Sequence, residues 1–262
     1  MSFAPSVSPS YLSFGSLHSA AAARRSRDVN FNDERFPPAV NSAFRRLFMI
    51  LKENNDDNQW QQVEIPEGQS YNTLRDGVSS IQFSLEHKLL PGVCSYSVRA
   101  SLIVPEVHAQ NVLSLLRSTN EDRAKWDVLF DSGHTLESID DRINILYLKH
   151  KPLCDRILLP RDCVVMEAVR PARDGSFFMV QVSTQYESAP RGTGCTRLNV
   201  PVHGWVVKKM GQHSEIKFAC ELSPDQYIPG FCRERWITET ALAPLRLYLE
   251  SLKIPVEVEL ED

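Results

Sequence analysis

Apolar residues recur at spacings of three and four over residues 39–52, where Val40, Ala43, Phe44, Leu47, Phe48 and Leu51 share one face. That period predicts an amphipathic helix. The polar run Asn54-Asn55-Asp56-Asp57-Asn58 ends it. Shorter apolar runs over 60–65, 78–86 and 95–104 predict strands, the last closed by Pro105. Residues 107–116 return to a helical period, followed by a turn and Arg123-Ala124-Lys125-Trp126-Asp127. A long series of strands is predicted over 135–139, 143–150, 163–169, 177–186, 195–210 and 215–222, punctuated by Gly, Pro and Asp. After Pro229-Gly230 a last helix carries Trp236, Ile237, Thr240, Ala241, Leu245, Tyr248 and Leu252 on one stripe, and Pro244 should kink it or begin its second half. The order is helix, strands, helix, many strands, helix. Antiparallel strands with helices gathered to one side make an α+β domain, and a strongly curved sheet could wrap the last helix around an interior cavity.

Composition narrows the class of protein. At 262 residues, with 42% hydrophobic and 24% charged, the chain can bury a sizeable core without staples. The net charge of −4 argues against a dedicated nucleic-acid binder. No apolar run is long enough to predict a transmembrane helix. The six cysteines (Cys94, Cys154, Cys163, Cys195, Cys220, Cys232) form no C-x-x-C pair and read as buried free thiols in a reducing compartment. The histidines show no H-x-x-x-H spacing, so no metal site is expected. Enzyme motifs are missing: there is no G-x-S-x-G, P-loop or G-x-G-x-x-G after a strand. Asp140-Asp141 does not make a catalytic pair, since consecutive strand residues face opposite sides.

The ends differ from the middle. Residues 1–27 contain no acid and end in Arg24, Arg25 and Arg27. Residues 1–30 therefore read as a disordered tail or an organelle transit peptide. They lack apolar periodicity and should be dispensable for ligand binding. Residues 31–254 form the domain, and 255–262 an acidic C-terminal tail.

Several local motifs stand in a telling order. Arg123-x-x-Trp126-Asp127 is followed by Glu137-x-Ile139-Asp140 and Pro160-Arg161-Asp162. Then come Ser183 with Ala189-Pro190, Cys195-Thr196-Arg197, Asp225 with Ile228-Pro229, and the closing helix with Pro244. From about Val40 to Leu252 the chain resembles the START (StAR-related lipid transfer) family. The resemblance implies a helix-grip fold, in which a curved antiparallel sheet surrounds a long C-terminal helix with a lipid between them. It implies a carrier of one lipid or sterol-like molecule between membranes, or alternatively a lipid-sensing regulatory module without transfer, and no catalysis. The expected partners are one lipid ligand (sterol, ceramide, phospholipid or fatty acid) and a transient membrane surface. The protein is expected to be monomeric, with no cofactor and no nucleic acid. Its expected location is cytoplasmic, or mitochondrial or plastid if the acid-poor segment is a transit peptide. Pro224-Asp225-Gln226-Tyr227 departs from the Gly-rich turn common in the family.

Candidate site residues follow. The expected apolar lining is Val98, Val165, Met179, Ile237, Ala241, Leu245 and Tyr248, whose periods put them on facing surfaces. Glu137 and Gln181 match positions that contact the head group in ceramide-transfer members, although Pro160 stands where those members have a third polar contact. Glu137 also fits a solvated edge, and Gln181 the outer sheet face. Parity argues otherwise for Gln181, which alternates in phase with Phe177 and Met179. Glu167 shares a face with Cys163 and Val165. It reads as a buried acid, with Lys149 or Arg170 as its partner, or as an ordinary exposed glutamate. Trp126 and Asp127 read as a helix anchor and a backbone cap, and Arg161 with Asp162 as an ion pair or loop clamp. Arg191, Lys208, Lys209, Arg233 and Arg235 suit an anionic membrane surface or a solvated face. The loop Arg170–Ser176, with the last helix, is the expected gate.

Overall fold

The computed structural model describes residues 33–53, 59–63, 82–90, 95–105, 107–152, 159–189, 192–222 and 228–255. The N-terminal segment 1–30, the acidic tail from 256, the strand start at 78–81, Cys94, Cys154, Arg191 and the turn 224–227 lie outside the described residues.

Helix α1 is Pro38–Lys52. Pro38 sits in its first turn, where a missing N–H costs nothing. Asn41 Nδ2 donates to the carbonyls of Asp33 and Phe36 at 2.9 and 3.0 Å, fixing the chain's entry. Strands β1 (Gln61–Gln62), β2 (Gln82–Leu89) and β3 (Tyr96–Pro105) follow. Helices α2 (Ala109–Arg117) and α3 (Glu121–Trp126) come next. The Asn120 side chain caps α3 by accepting from Asp122 N. The long strand series is β4 (Phe130–Ser138), β5 (Ile143–His150), β6 (Arg161–Pro171), β7 (Phe177–Ser183), β8 (Thr196–Arg197), β9 (Val202–Met210) and β10 (His213–Glu221). The chain closes with α4 (Gly230–Ala241) and α5 (Ala243–Ser251). The predicted last helix is thus two helices meeting at Leu242, and Pro244 begins the second. The expected strand over 195–210 is also two pieces, because Leu198–Pro201 leave the ladder.

The strands form one curved, open sheet in the order β1-β2-β3-β10-β9-β7-β6-β5-β4, with β8 parallel to β6 and every other pairing antiparallel. Strand alternation sends one set of side chains to each face. On the outer face, Ile143, Ala168, Val180, Val202, Val206 and Ala219 pack under Val40, Phe44 and Leu47 of α1. On the inner face, Val98, Ala100, Leu102, Phe177, Met179, Trp205, Ile216 and Phe218 pack under α4 and α5. This is the helix-grip α+β architecture.

Glycine is required at one outer-face position. A Cβ on Gly204 would sit 2.8 Å from both Leu47 methyl carbons, and Leu47 is fully buried. Gly204→Val is expected to lose about 2 kcal/mol by overpacking. Urea unfolding checks this, and a Leu47→Ala partner should recover part of the loss.

Among the described cysteines, Cys163, Cys195 and Cys220 are free, with Cys163 and Cys220 buried and Cys195 partly so. Cys232 is disulfide-bonded, which corrects the expectation that all the thiols are free. No helix among the described residues is long and apolar enough to cross a membrane.

Candidate functional site

The inner-face core does not close. One apolar cluster lies under α4 and α5. A second, built on Phe130, Leu146, Leu148, Cys163 and Val165, stands apart from it. Between them runs a cleft whose empty space, open solvent at its mouth included, is about 940 Å³. Its apolar wall includes Trp126, Leu148, Cys163, Val165, Phe218 and Trp236, and its polar residues include Arg123, Asp127, His150, Arg161, Gln181, His203 and Thr240.

Sheet register explains why these polar groups converge. One rung crosses the inner face through Val98, Cys220, His203, Gln181 and Glu167, each the backbone partner of the next. His150 on β5 pairs with Arg161 on β6. Helix α3 supplies the opposite side. Trp126 stands edge-on to Trp205 with ring centroids 5.6 Å apart, and its Nε1 donates to the Leu115 carbonyl at 3.3 Å. That anchor places Arg123, 2% exposed, against Asp127 at 3.1 Å.

Electrostatics keep the two cleft histidines neutral. Burial, reinforced by Arg123, pushes His203 down to about 3 against the pull of Asp127. His150 is lowered by the same burial and by Arg123 and Arg161. Arg123 Nη1, Arg161 Nη1, His150 Nδ1, His203 Nδ1 and Thr240 Oγ1 are buried without a hydrogen-bond partner among the described residues. All five residues line the cleft. Buried polar atoms are normally satisfied, so this concentration marks where a polar ligand end would bond.

Of the expected site residues, Val165 and Gln181 line the cleft. Val98, Met179, Ile237, Ala241, Leu245 and Tyr248 instead lie in the closed core beside it. They face the expected way, but Trp126, Trp205 and Phe218 fill the space between sheet and helix there. Glu137 is exposed on the edge strand β4 and does not join Gln181. Gln181 is 3% exposed and donates to Glu167 Oε2 at 2.9 Å. Glu167 is wholly buried, and its charged neighbour is Arg117 at 3.4 Å. Lys149 and Arg170 are engaged with Asp131 and Asp33. Asp162 does not pair with Arg161, because neighbouring strand residues face opposite ways. It clamps the outer side, accepting from Arg197, Gly192 N and the Tyr147 hydroxyl. Asp127 takes Arg123 with its carboxylate rather than capping backbone donors.

The expected gate is also displaced. Ala172–Ser176 is a tight hairpin, with Ala172 N donating to the Ser176 carbonyl at 2.8 Å and Gly175 at φ 79°. It joins the end of β6 to the start of β7, whereas the cleft takes Arg161, Cys163 and Val165 from the start of β6 and Gln181 from the end of β7. Pro171 is six residues beyond Val165, roughly 20 Å along the strand. The lining residues that reach solvent, Lys151 and Asn199, mark the open side instead.

Burial raises the Glu167 carboxyl above its ordinary range, against the hydrogen bond from Gln181 and the charge of Arg117. The folded state therefore holds a proton that the unfolded chain releases near 4.5, so Glu167 makes stability fall as pH rises from that value through the raised one. Glu167→Gln is expected to flatten this slope and to raise the melting temperature at neutral pH. Melting curves from pH 4 to 8 check it.

The START domain family model matches residues 49–242. No curated protein matches the chain in sequence. Solved structures are similar in fold. Human StAR-related lipid transfer protein 5 superposes with a TM-score of 0.60 at 14% identity, over 82% of this chain and 98% of that one. Human STARD10 gives 0.56 at 16%, over 74% and 83%. A STAR-related lipid transfer protein fragment from Xanthomonas axonopodis gives 0.55 at 18%, over 74% and 99%. With a matched segment covering most of the sheet and α4, this chain belongs to the START domain family.

Proposed function

We propose that the protein binds one lipid in the cleft between the sheet and α3–α4 and carries it between membranes. The observation that supports this most is the pairing of an apolar wall with a cluster of unpartnered polar atoms at one place. Val165, Leu148, Phe218 and Trp236 offer surface to an acyl or ring system, while Arg123, His150, His203 and Thr240 offer bonds to a polar end. Burying each methylene is worth about 0.8 kcal/mol, which offsets a lipid's poor solubility without chemistry. Family membership and the START-fold neighbours support the same reading.

The test is transfer of a fluorescent lipid from donor to acceptor vesicles. A carrier moves many lipids per protein molecule. Stoichiometric binding without turnover would show a lipid-sensing module instead. Failure to extract any lipid would refute both.

A further inference from the structure

Among the described residues, the charges lining the cleft do not balance. Glu221 is taken by Arg46 and by the Ser97 hydroxyl. Glu239 is taken by Arg246 at 2.6 Å. Asp127 is taken by Arg123 at 3.1 Å. Two cations are left. Lys151 is exposed and, among the described residues, donates only to the Val128 carbonyl at 3.3 Å. Arg161 is half-buried and, among the described residues, makes no hydrogen bond or ion pair, with Nη1 fully shielded from solvent. The adjacent Asp162 cannot serve it, because that carboxylate points to the opposite face and already accepts from Arg197, Gly192 and Tyr147. Its cross-strand partner, His150, is held neutral by burial and offers no counter-charge. Shielding part of a guanidinium from water with no anion beside it is costly, and here that group opens on the cleft.

We propose that Arg161 is an anion receptor, and that the ligand carries a phosphate or carboxylate group bound against Arg161. This rests on the lipid reading above and narrows it. Lipids bearing a phosphate or carboxylate fit, while ceramide and sterols, with hydroxyls alone, leave Arg161 uncompensated. A guanidinium suits either anion, since its fork of donors matches two oxygens in one plane. His150, its neighbour on β5, supplies a second contact to the same group through its nitrogen.

The experiment uses the full chain, its Arg161→Gln variant and its Arg161→Lys variant. Binding is measured by extraction of labelled phosphatidic acid, phosphatidylcholine, oleic acid and ceramide from neutral vesicles. The wild-type protein should take a phosphate- or carboxylate-bearing lipid at least about tenfold more tightly than ceramide. Arg161→Gln should lose about tenfold or more for that lipid and little for ceramide, and Arg161→Lys should recover part of the loss. Preference for phosphatidic acid or phosphatidylcholine marks a phosphate head, and preference for oleic acid a carboxylate; both support the assignment. The melting temperature of lipid-free Arg161→Gln should equal or exceed that of wild type, which separates a lost ligand contact from a damaged fold. Equal binding of the preferred lipid by wild type and Arg161→Gln would overturn the proposal, as would tight ceramide binding insensitive to position 161. Binding of no lipid at all would bring down the underlying reading, and the anion site with it.

Discussion

Replacing Asp162 with asparagine is expected to cost about 3 kcal/mol of stability, the lower end for breaking a buried ion pair. The carboxylate has no exposed surface. It accepts two bonds from Arg197 at 2.9 and 3.1 Å, one from Gly192 N at 2.8 Å and one from the Tyr147 hydroxyl at 3.1 Å. Those partners come from β5, from β8 and from the turn before it, so one side chain ties three segments to β6. Asparagine keeps the shape, but loses the charge and turns one acceptor into a donor facing donors. For a domain of this size the loss corresponds to roughly 6–12 °C in melting temperature. Burial by itself would raise the Asp162 carboxyl, but the bonds from Arg197 and Gly192 outweigh it and hold it below its ordinary 3.8. Its contribution is therefore complete above that value and is lost as pH falls through the depressed one. Wild type and variant should converge in strong acid. Thermal melts across pH check both statements, and a difference within about 0.5 kcal/mol at neutral pH would contradict the clamp.

Filling the cleft should have the largest effect on binding. Thr240 faces it from α4, 9% exposed, with its hydroxyl unpartnered. Thr240→Phe removes that orphan and projects a ring into space the ligand would use. If the ring displaces about four methylenes, the loss is about 3 kcal/mol, or roughly two orders of magnitude in affinity. The lipid-free fold should be unharmed, because the ring enters empty volume rather than packed core. Vesicle extraction assays with melting curves alongside decide it. Undiminished binding would place the ligand elsewhere.

Much of the fold is legible in the chain, for reasons visible at particular positions. The three-four spacing of Val40, Phe44 and Leu47 is the buried stripe of α1. Pro244 can only open a helix or break one, and it opens α5. Parity alone puts Gln181 among Met179 and Phe177, because a strand offers only two faces. The missed start of β4 has an equally local cause. Asp131-Ser132-Gly133-His134 has the composition of a turn, and an edge strand with one wet face tolerates it.

The site was less legible. Periodicity tells which residues face inward, not what covers them. Ile237 and Ala241 face inward and meet side chains, while Thr240 and Trp236, on the same helix, meet the cleft. His203 and His150 stand in no metal-ligand spacing, and Arg161 reads in the sequence as the partner of Asp162. The parity that singles out Gln181 would have found His203, which alternates in phase with the buried Trp205 and Val207. That Arg161 meets no counter-ion among the described residues has no signature in the sequence. Asp162 beside it suggests a pair, and only the alternation of β6 shows the two pointing apart.

The most direct test of the account is native mass spectrometry of the full chain after incubation with mixed-lipid vesicles, beside Thr240→Phe treated identically. The account predicts one added mass per wild-type molecule, that of a single lipid, and little or none in the variant. Wild-type protein carrying no lipid, or both proteins carrying it equally, would contradict the claim that this cleft holds one lipid.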